Sequence, residues 1–541
     1  MYLIVGAGPA GLQMGFFLKE AQANYLIVEK EVDAGSFFAR LPIHRRLISI
    51  NKKHNFFEEE EFNLRHDWNS LLSNGAGPKF TDYSDELFPH SDTLHRYLND
   101  FAEDHGLNIR YGLEVSFIKK NSQGLFEVAF KNGVVIECKV LLMATGVRSQ
   151  NIPQDIEGIE HTLPYKNVPI DSDLFINKRV AILGGGNSAF ETANEITGKA
   201  AFVHLFLRSP LKFAYDSHFV GNLRAKYTNI LDMFHLKSLH GLLNPRIRSI
   251  TKLSNGSLQT QHEYDFPDSP VPGTLKLTRE YDFIINCTGF RYTCDQLFDE
   301  SARPETIMNG KFYDLNEVWQ SANVENLHFI GTCMQAIDRK ASSGFIHGFR
   351  YNIRTLAHLL QQLHGEIPYP TSEIMLEPFN TFLAALYKRF SIGDSVYQLY
   401  GFLGDLLEFD RDTGKFSWSR DLPVNYIRKN LQPSVPSMML TLEFGFHHYP
   451  DRSSLEFMGP SDPHDTSKAA FLHPVIRYFY NGREEEFHFG DSLLGRWDMP
   501  HSEGGAIGSY HTEFYNWMAG IFGLELIDAN SLGEDPVFDK W

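Results

Sequence analysis

The sequence predicts an α/β chain of two nested parallel-sheet units, each a three-layer sandwich, followed by an α+β C-terminal region. Three observations carry that prediction. A strand, glycine turn, helix and strand open the chain at Met1, and the same pattern recurs at Arg179. The apolar run YDFIINCTGF (281–290) repeats the strand exit seen at 140–146, both ending in Thr-Gly. Beyond about residue 366 the pattern changes to one rich in proline, helical stretches and hairpins. A length of 541 residues, at roughly 150 per domain, implies more than one core. The 43% hydrophobic and 22% charged content is that of a folded globular chain rather than a fibrous or disordered one.

Taken in order, MYLIVGAGPAGLQMGFFLKEAQANYLIVEK (1–30) gives a short β-branched strand, a glycine turn, a helix of about a dozen residues and a second strand ending at Glu29. Residues 110–150 read as an antiparallel excursion with Asn132-Gly133 at a hairpin turn, closing on Ala144-Thr145-Gly146. The second unit runs from Arg179 to Arg208. Residues 244–280 make another polar, strand-rich patch before the strand that ends at Thr288-Gly289. Residues 326–360 read as a further strand, a loop and a long helix returning to the first domain. The second unit is thus inserted in the first. Residues 1–150 and 285–365 form one domain and 151–284 the other. The remaining residues, 366–541, carry helical stretches to about 407 and a hairpin at Asn481-Gly482, and are expected to cover substrate or to join subunits, a homodimer being left open.

Fifty Lys plus Arg against 67 Asp plus Glu give a net charge of −17, which disfavours nucleic acid and anionic membrane as partners. No apolar run reaches the roughly 18 residues that span a bilayer. The first strand begins directly after Met1, and the chain ends PVFDKW without a K-D-E-L-type signal, so a cytoplasmic location is expected. Cys138, Cys287, Cys294 and Cys333 are widely spread and form no C-x-x-C pair, which argues for a reducing compartment and against dithiol chemistry. The C-terminal histidines His447, His448, His464, His473, His488, His501 and His511 match no ligand spacing, so no metal is expected. Tyr478, Phe479, Tyr480, Phe487 and Phe489 recur at strand spacing and read as a packed sheet face.

Gly6-x-Gly8-x-x-Gly11, with Pro9 and Ala10 inside it, sits between strand and helix. There glycines permit a tight turn, the approach of a diphosphate and close helix packing, and the helix N-terminus favours an anion. Glu29, 23 residues after Gly6, suits the two hydroxyls of an adenosine ribose; Lys30 follows it, and both are candidate cofactor contacts. The second unit carries Gly184-x-Gly186-Asn187-Ser188-Ala189. At its strand tip stands Arg208, 24 residues after Gly184 and followed by Ser209, where a guanidinium can fork onto a 2′-phosphate. An outer unit with an acid and an inner unit with a base imply FAD held by the first and exchangeable NADPH by the second, with hydride passing from nicotinamide to flavin. The exits Ala144-Thr145-Gly146 and Thr288-Gly289 are further candidate contacts.

Together with these motifs, His161-Thr-Leu-Pro-Tyr165-Lys166 resembles the flavin-containing monooxygenase pattern F-x-G-x-x-x-H-x-x-x-Y-K. Here Ile156 stands for the Phe, and Gly158 is one residue closer to the His. RRLISINK (45–52), EFNLRHDWNSLL (61–72), GNSAFETA (186–193), SGFIHGFRY (343–351) and FLHPVI (471–476) are similar to the FAD-dependent oxidoreductase-domain proteins of the endoplasmic reticulum. The resemblance implies that Asn51 lies beside the flavin and helps hold a C4a-hydroperoxide, its carboxamide offering both a donor and an acceptor. It also implies flavin contacts at Ser49, at Gly331-Thr332, and at Gly344-Phe345, which open a helix. The function it implies is a single-component, NADPH-dependent FAD monooxygenase that uses O2 to oxygenate nitrogen, sulfur or an aromatic ring of a small molecule. An NADPH:acceptor reductase or oxidase, a flavin-dependent halogenase and a non-catalytic flavoprotein binding module are the alternatives.

Overall fold

The computed structural model describes residues 1–147, 149–214, 219, 221–235, 239–266, 273–339, 342–445, 466, 469, 471–490, 492, 494–499 and 511–523. They fall into two units, one of residues 1–52 and 68–349, the other of 53–67 and 350–541.

Two parallel sheets of five strands organise the first unit. In the outer sheet the order is Leu327–Phe329, Val140–Met143, Tyr2–Val5, Tyr25–Val28 and Ile109–Arg110. Tyr2 pairs with both Tyr25 and Val140. The inner sheet repeats the plan as Gly241–Leu243, Phe202–Phe206, Arg179–Leu183, Phe283–Asn286 and Leu163–Pro164. Both glycine turns therefore leave a central strand whose neighbours diverge, the crevice where open α/β sheets bind ligands. The strands YLIV at 2–5 and again at 25–28 are buried at every residue. That explains their unbroken apolar runs: a parallel sheet is covered on both faces. Helix Pro9–Glu20 has the twelve-residue length expected, with Pro9 in its first turn.

Each sheet is interrupted by a three-stranded antiparallel excursion, 115–138 in the outer domain and 246–281 in the inner one. Gly133, at φ 86°, makes the hairpin turn read from Asn132-Gly133. The last inner strand runs through Asn286, so the chain returns to the outer domain slightly later than residue 285.

In the second unit the strands Thr371–Met375, Lys415–Pro423, Leu403–Asp410, Ser437–Phe444, Leu472–Tyr480 and Arg483–His488 form one antiparallel sheet. Helices Phe379–Ile392 and His511–Phe522 share its core with Phe416, Trp418, Met438, Ile476 and Tyr478. Tyr478 and Phe489 are buried, and Tyr480 and Phe487 pack against the same core, so four of the five expected aromatics share one sheet face; Phe479, adjacent to Tyr478 in the strand, lies on the other face under the Arg428 guanidinium. Asn481 and Gly482, both at positive φ, make the hairpin turn.

Two boundaries differ from expectation. The second unit begins at Arg350 rather than 366, and it takes in residues 53–67. The helical stretch expected to run to about 407 stops at Gln398, and strand Leu403–Asp410 takes the residues beyond it. Of the C-terminal histidines, His447, His448, His464 and His501 lie outside the described residues, as does the side chain of His511. His473 is buried, and its Nε2 faces His488 Nδ1 at 3.0 Å. Among the described residues no cluster of three or more His, Cys, Asp or Glu is arranged to hold a metal ion, and no helix is long and apolar enough to cross a membrane.

Candidate functional site

The outer glycine turn is shaped by contacts that only glycine allows. A Cβ on Gly11 would stand 1.9 Å from the Gly6 carbonyl oxygen, so any side chain there drives the helix off the strand. Gly8 is different: a Cβ there meets no atom within 4 Å. Its bare face opens at the N-terminus of the helix, the space a diphosphate needs. The inner turn repeats the geometry, with Gly184 against the Cys287 carbonyl as Gly6 lies against that of Ala144.

Around the outer turn, residues far apart in sequence converge. Ala7 N–H donates to Glu29 at 2.8 Å and Glu31 N–H to its other oxygen at 3.0 Å, fixing the carboxylate while leaving lone pairs for hydroxyls. A Cβ on Gly331 would approach that of Ala10 to 2.6 Å, so the Gly331-Thr332 segment lies directly on the turn. Among the described residues, the buried hydroxyls of Thr145 and Thr332 and the side-chain Oδ1 of Asn51 have no hydrogen-bond partner. Unsatisfied buried polar atoms are costly. Three of them at segments the sequence assigns to FAD fit a bound polar cofactor.

Asn51 departs from expectation in one respect. It is 1% exposed, and its Nδ2 donates to Ser84 O at 2.6 Å and Glu86 O at 3.3 Å. The amide donor is committed, so what Asn51 presents is an acceptor alone. Ser49 is likewise held inside its loop, its hydroxyl donating to Asn69 Oδ1 at 2.6 Å. Lys30 is exposed and pairs with Glu31. Gly344 is buried and Phe345 half-buried just before helix Ile346–His364.

In the inner unit, Asn187 bonds within the protein, to Asn222 and Arg224. Ser188 and Ala189 begin the helix, Ala189 fully buried in its packing. Thr288 differs from its counterpart Thr145: its hydroxyl is bonded to Asn151 O and to Asn286 Oδ1. Arg208 and Ser209 are exposed beyond strand Phe202–Phe206. His161 is exposed; within its motif the residue that makes interior contacts is Tyr165.

Tyr165 reveals a residue that sequence reasoning missed. Its hydroxyl donates to Glu191 at 2.6 Å and accepts from Ile43 N–H at 3.1 Å, while His44 N–H donates to the other Glu191 oxygen at 2.8 Å. Glu191 is thus a buried bridge between the inner helix and the segment that leads to Ser49 and Asn51. A lone acid in an otherwise apolar helix face (Ala189, Phe190, Ala193) was the available signal. Burial, opposed by these hydrogen bonds, pushes its carboxyl up to about 7. Since the folded value exceeds the ordinary 4.5, the unfolded chain ionises first as pH rises. Folding stability attributable to this group is therefore full below pH 4.5 and lost between there and pH 7, on the order of 3 kcal/mol in all. Glu191→Gln is expected to flatten that dependence, so denaturant unfolding of both proteins at pH 5 and pH 8 should show the variant gaining most at pH 8. An equal difference at the two values would mean that Glu191 titrates normally.

A family model described as pyridine nucleotide-disulphide oxidoreductase matches residues 3–331. FAD-dependent oxidoreductase domain-containing protein 2 of Mus musculus is 33% identical over 530 residues, 92% of this chain and 78% of that protein. Its namesake in Danio rerio is 33% identical over 556 residues, 93% of this chain and 78% of its own length. The flavin-containing monooxygenase from Stenotrophomonas maltophilia superposes with a TM-score of 0.51 over 67% of this chain and 98% of its own; at 17% identity this shows a shared fold. By the family match across both glycine turns and by kinship over nearly its whole length, the chain belongs to the pyridine nucleotide-disulphide oxidoreductase family.

Proposed function

We propose that the protein is an NADPH-dependent FAD monooxygenase acting on a small molecule with O2. The observation that carries the reading is the state of the cysteines. All four are buried and none is joined in a disulfide, burial pushes the Cys138 thiol up to about 12, and it raises Cys287 further. No internal dithiol is placed to receive electrons, so they pass to an external acceptor. When bound, FAD supplies the hydride acceptor and, once reduced, the two electrons with which O2 is divided between substrate and water.

The chain's own residues bind and orient. Gly6, Gly8 and Gly11 admit the FAD diphosphate, Glu29 takes the adenosine ribose, and Thr145, Gly331, Thr332 and Gly344 line the rest of that cofactor. Gly184 and Gly186 admit the coenzyme diphosphate and Arg208 reads the 2′-phosphate. Asn51 Oδ1 receives a hydrogen bond from a hydroxyl or amide and adds no charge. The Tyr165–Glu191 bridge keeps the segment carrying Asn51 in register with the inner helix.

The test is stoichiometry and timing in one experiment. Protein reduced with NADPH and mixed rapidly with O2 should recover the oxidised flavin spectrum only after a lag behind O2 consumption, and retained NADP+ should lengthen that lag. Recovery without a lag, with hydrogen peroxide equal to NADPH consumed whatever small molecule is added, would establish a simple oxidase instead.

A further inference from the structure

A cation sits where the two dinucleotide-binding domains of the first unit meet. Arg224 is anchored to the inner glycine turn through its main chain: its N–H donates to Asn187 Oδ1 at 2.9 Å, and Asn187 Nδ2 donates to Asn222 O at 2.9 Å. Asn187 is the first residue of the helix leaving that turn. Gly221 O lies 3.5 Å from where a Cβ on Gly186 would stand, so the segment 221–224 flanks the turn itself.

From this anchor the side chain reaches the outer domain. The guanidinium carbon lies 4.8 Å from the ring centre of Phe345 and 5.7 Å from that of Trp68. Phe345 follows Gly344 at the start of the helix assigned to the flavin, and Trp68 N–H donates to the carbonyl of Ile50, the residue before Asn51. Both rings are held by buried His347, which stacks on Trp68 at 4.0 Å and 19° and on Phe345 at 5.6 Å and 24°. Segments assigned to two different coenzymes thus converge on one arginine.

We propose that Arg224 grips the diphosphate of the nicotinamide coenzyme, held ready for it on the Trp68, Phe345 and His347 platform. The assignment rests on the reading that such a coenzyme occupies the inner domain. A guanidinium lying over aromatic faces keeps its charge, and its planar array of N–H groups matches the oxygens of a phosphate. In a chain of net charge −17 a placed cation is needed where a polyanion must enter. Arg208, beyond the second strand, reads a group that NADH lacks. Arg224, tied to the first helical residue, reads the diphosphate that both coenzymes share.

The two arginines therefore separate in a binding experiment that needs no turnover. The full-length protein and its Arg224→Met and Arg208→Ala variants are titrated calorimetrically with NADP+ and with NAD+. Arg224→Met, whose stem still covers the rings, is expected to raise both dissociation constants about ten- to a hundredfold. Arg208→Ala is expected to raise only that for NADP+. Unchanged affinities in Arg224→Met would overturn the assignment, as would a loss confined to NADP+, which would make Arg224 a 2′-phosphate reader. Thermal unfolding without coenzyme reports on the fold. Should the Met variant unfold, Arg224→Lys, which keeps the charge but not the fork, should weaken both coenzymes to a smaller degree, and no weakening would overturn the proposal. A wild-type protein that binds neither nucleotide would instead remove the coenzyme reading of the inner domain, and this assignment with it.

Discussion

Gly8→Val should leave the protein folded and colourless. Gly8 lies in extended backbone at φ −77° and ψ −177°, which any residue adopts, and a Cβ there touches nothing within 4 Å. The Cβ of the new side chain therefore meets no protein atom. It does fill the open face at the N-terminus of helix Pro9–Glu20, where a diphosphate would lie against main-chain N–H groups. Flavin per chain after purification should fall at least about tenfold, the loss expected when a few charge-assisted hydrogen bonds are blocked. The melting temperature should fall only by the share that bound cofactor contributes. Gly11→Val is the contrasting case. There the new Cβ would stand 1.9 Å from the Gly6 carbonyl oxygen, so fold and flavin should be lost together. A yellow Gly8→Val protein with wild-type flavin content would show that no diphosphate crosses this turn.

These glycines also mark how far the sequence alone reaches. Gly6, Gly8 and Gly11, the twelve-residue helix, the all-apolar strands and the Asn132-Gly133 and Asn481-Gly482 turns are encoded by neighbours within a few residues, so local pattern suffices. The two Thr-Gly exits were legible because the inner domain repeats the outer one. What was hidden depends on partners far along the chain. Residues 53–67 join the second unit through contacts such as Arg65 with the carbonyls of Phe390 and Gly393, more than 300 positions away. Strand Leu403–Asp410 reads as helix by composition until its pairing with Lys415–Pro423 and Ser437–Phe444 imposes the extended form.

The site follows the same division. The residue type at 51 is visible in the sequence, but its chemistry is set by Ser84 and Glu86, whose carbonyls take the amide donor and leave only an acceptor. Glu191 lies inside the GNSAFETA segment, yet nothing local to it assigns a role, and Arg224 carries no motif. Their roles come from Tyr165 and His44 in one case and from Trp68 and Phe345 in the other, pairings that a one-dimensional pattern does not contain.

Arg389→Met should be strongly destabilising, because it breaks a buried ion-pair cluster in the second unit. The guanidinium is buried and forks onto Asp405, with Nε to Oδ2 at 2.8 Å and Nη2 to Oδ1 at 2.9 Å, and Nη2 also reaches Asp421 Oδ1 at 2.6 Å. Asp421 is shared with Arg354 at 2.7 Å and with the hydroxyl of Ser395. Burial alone would raise the Asp421 carboxyl, but Arg389 and Arg354 outweigh it and hold the group well below the usual carboxylate range. Removing Arg389 leaves Asp405, which is completely buried, with Trp418 Nε1 and the Asp421 N–H as donors but no cation. Breaking one partner of a buried pair costs about 3–5 kcal/mol, because an uncompensated charge remains in a medium of low dielectric. Removing both partners costs less. The double variant Arg389→Met, Asp405→Asn should therefore recover part of the stability lost by the single one, even though it has lost more hydrogen bonds. Denaturant unfolding of the full chain, followed by near-ultraviolet circular dichroism, separates the cases. A single variant within about 1 kcal/mol of wild type, or a double variant whose loss is the plain sum of two singles, would mean that the cluster is solvated and its charges act independently.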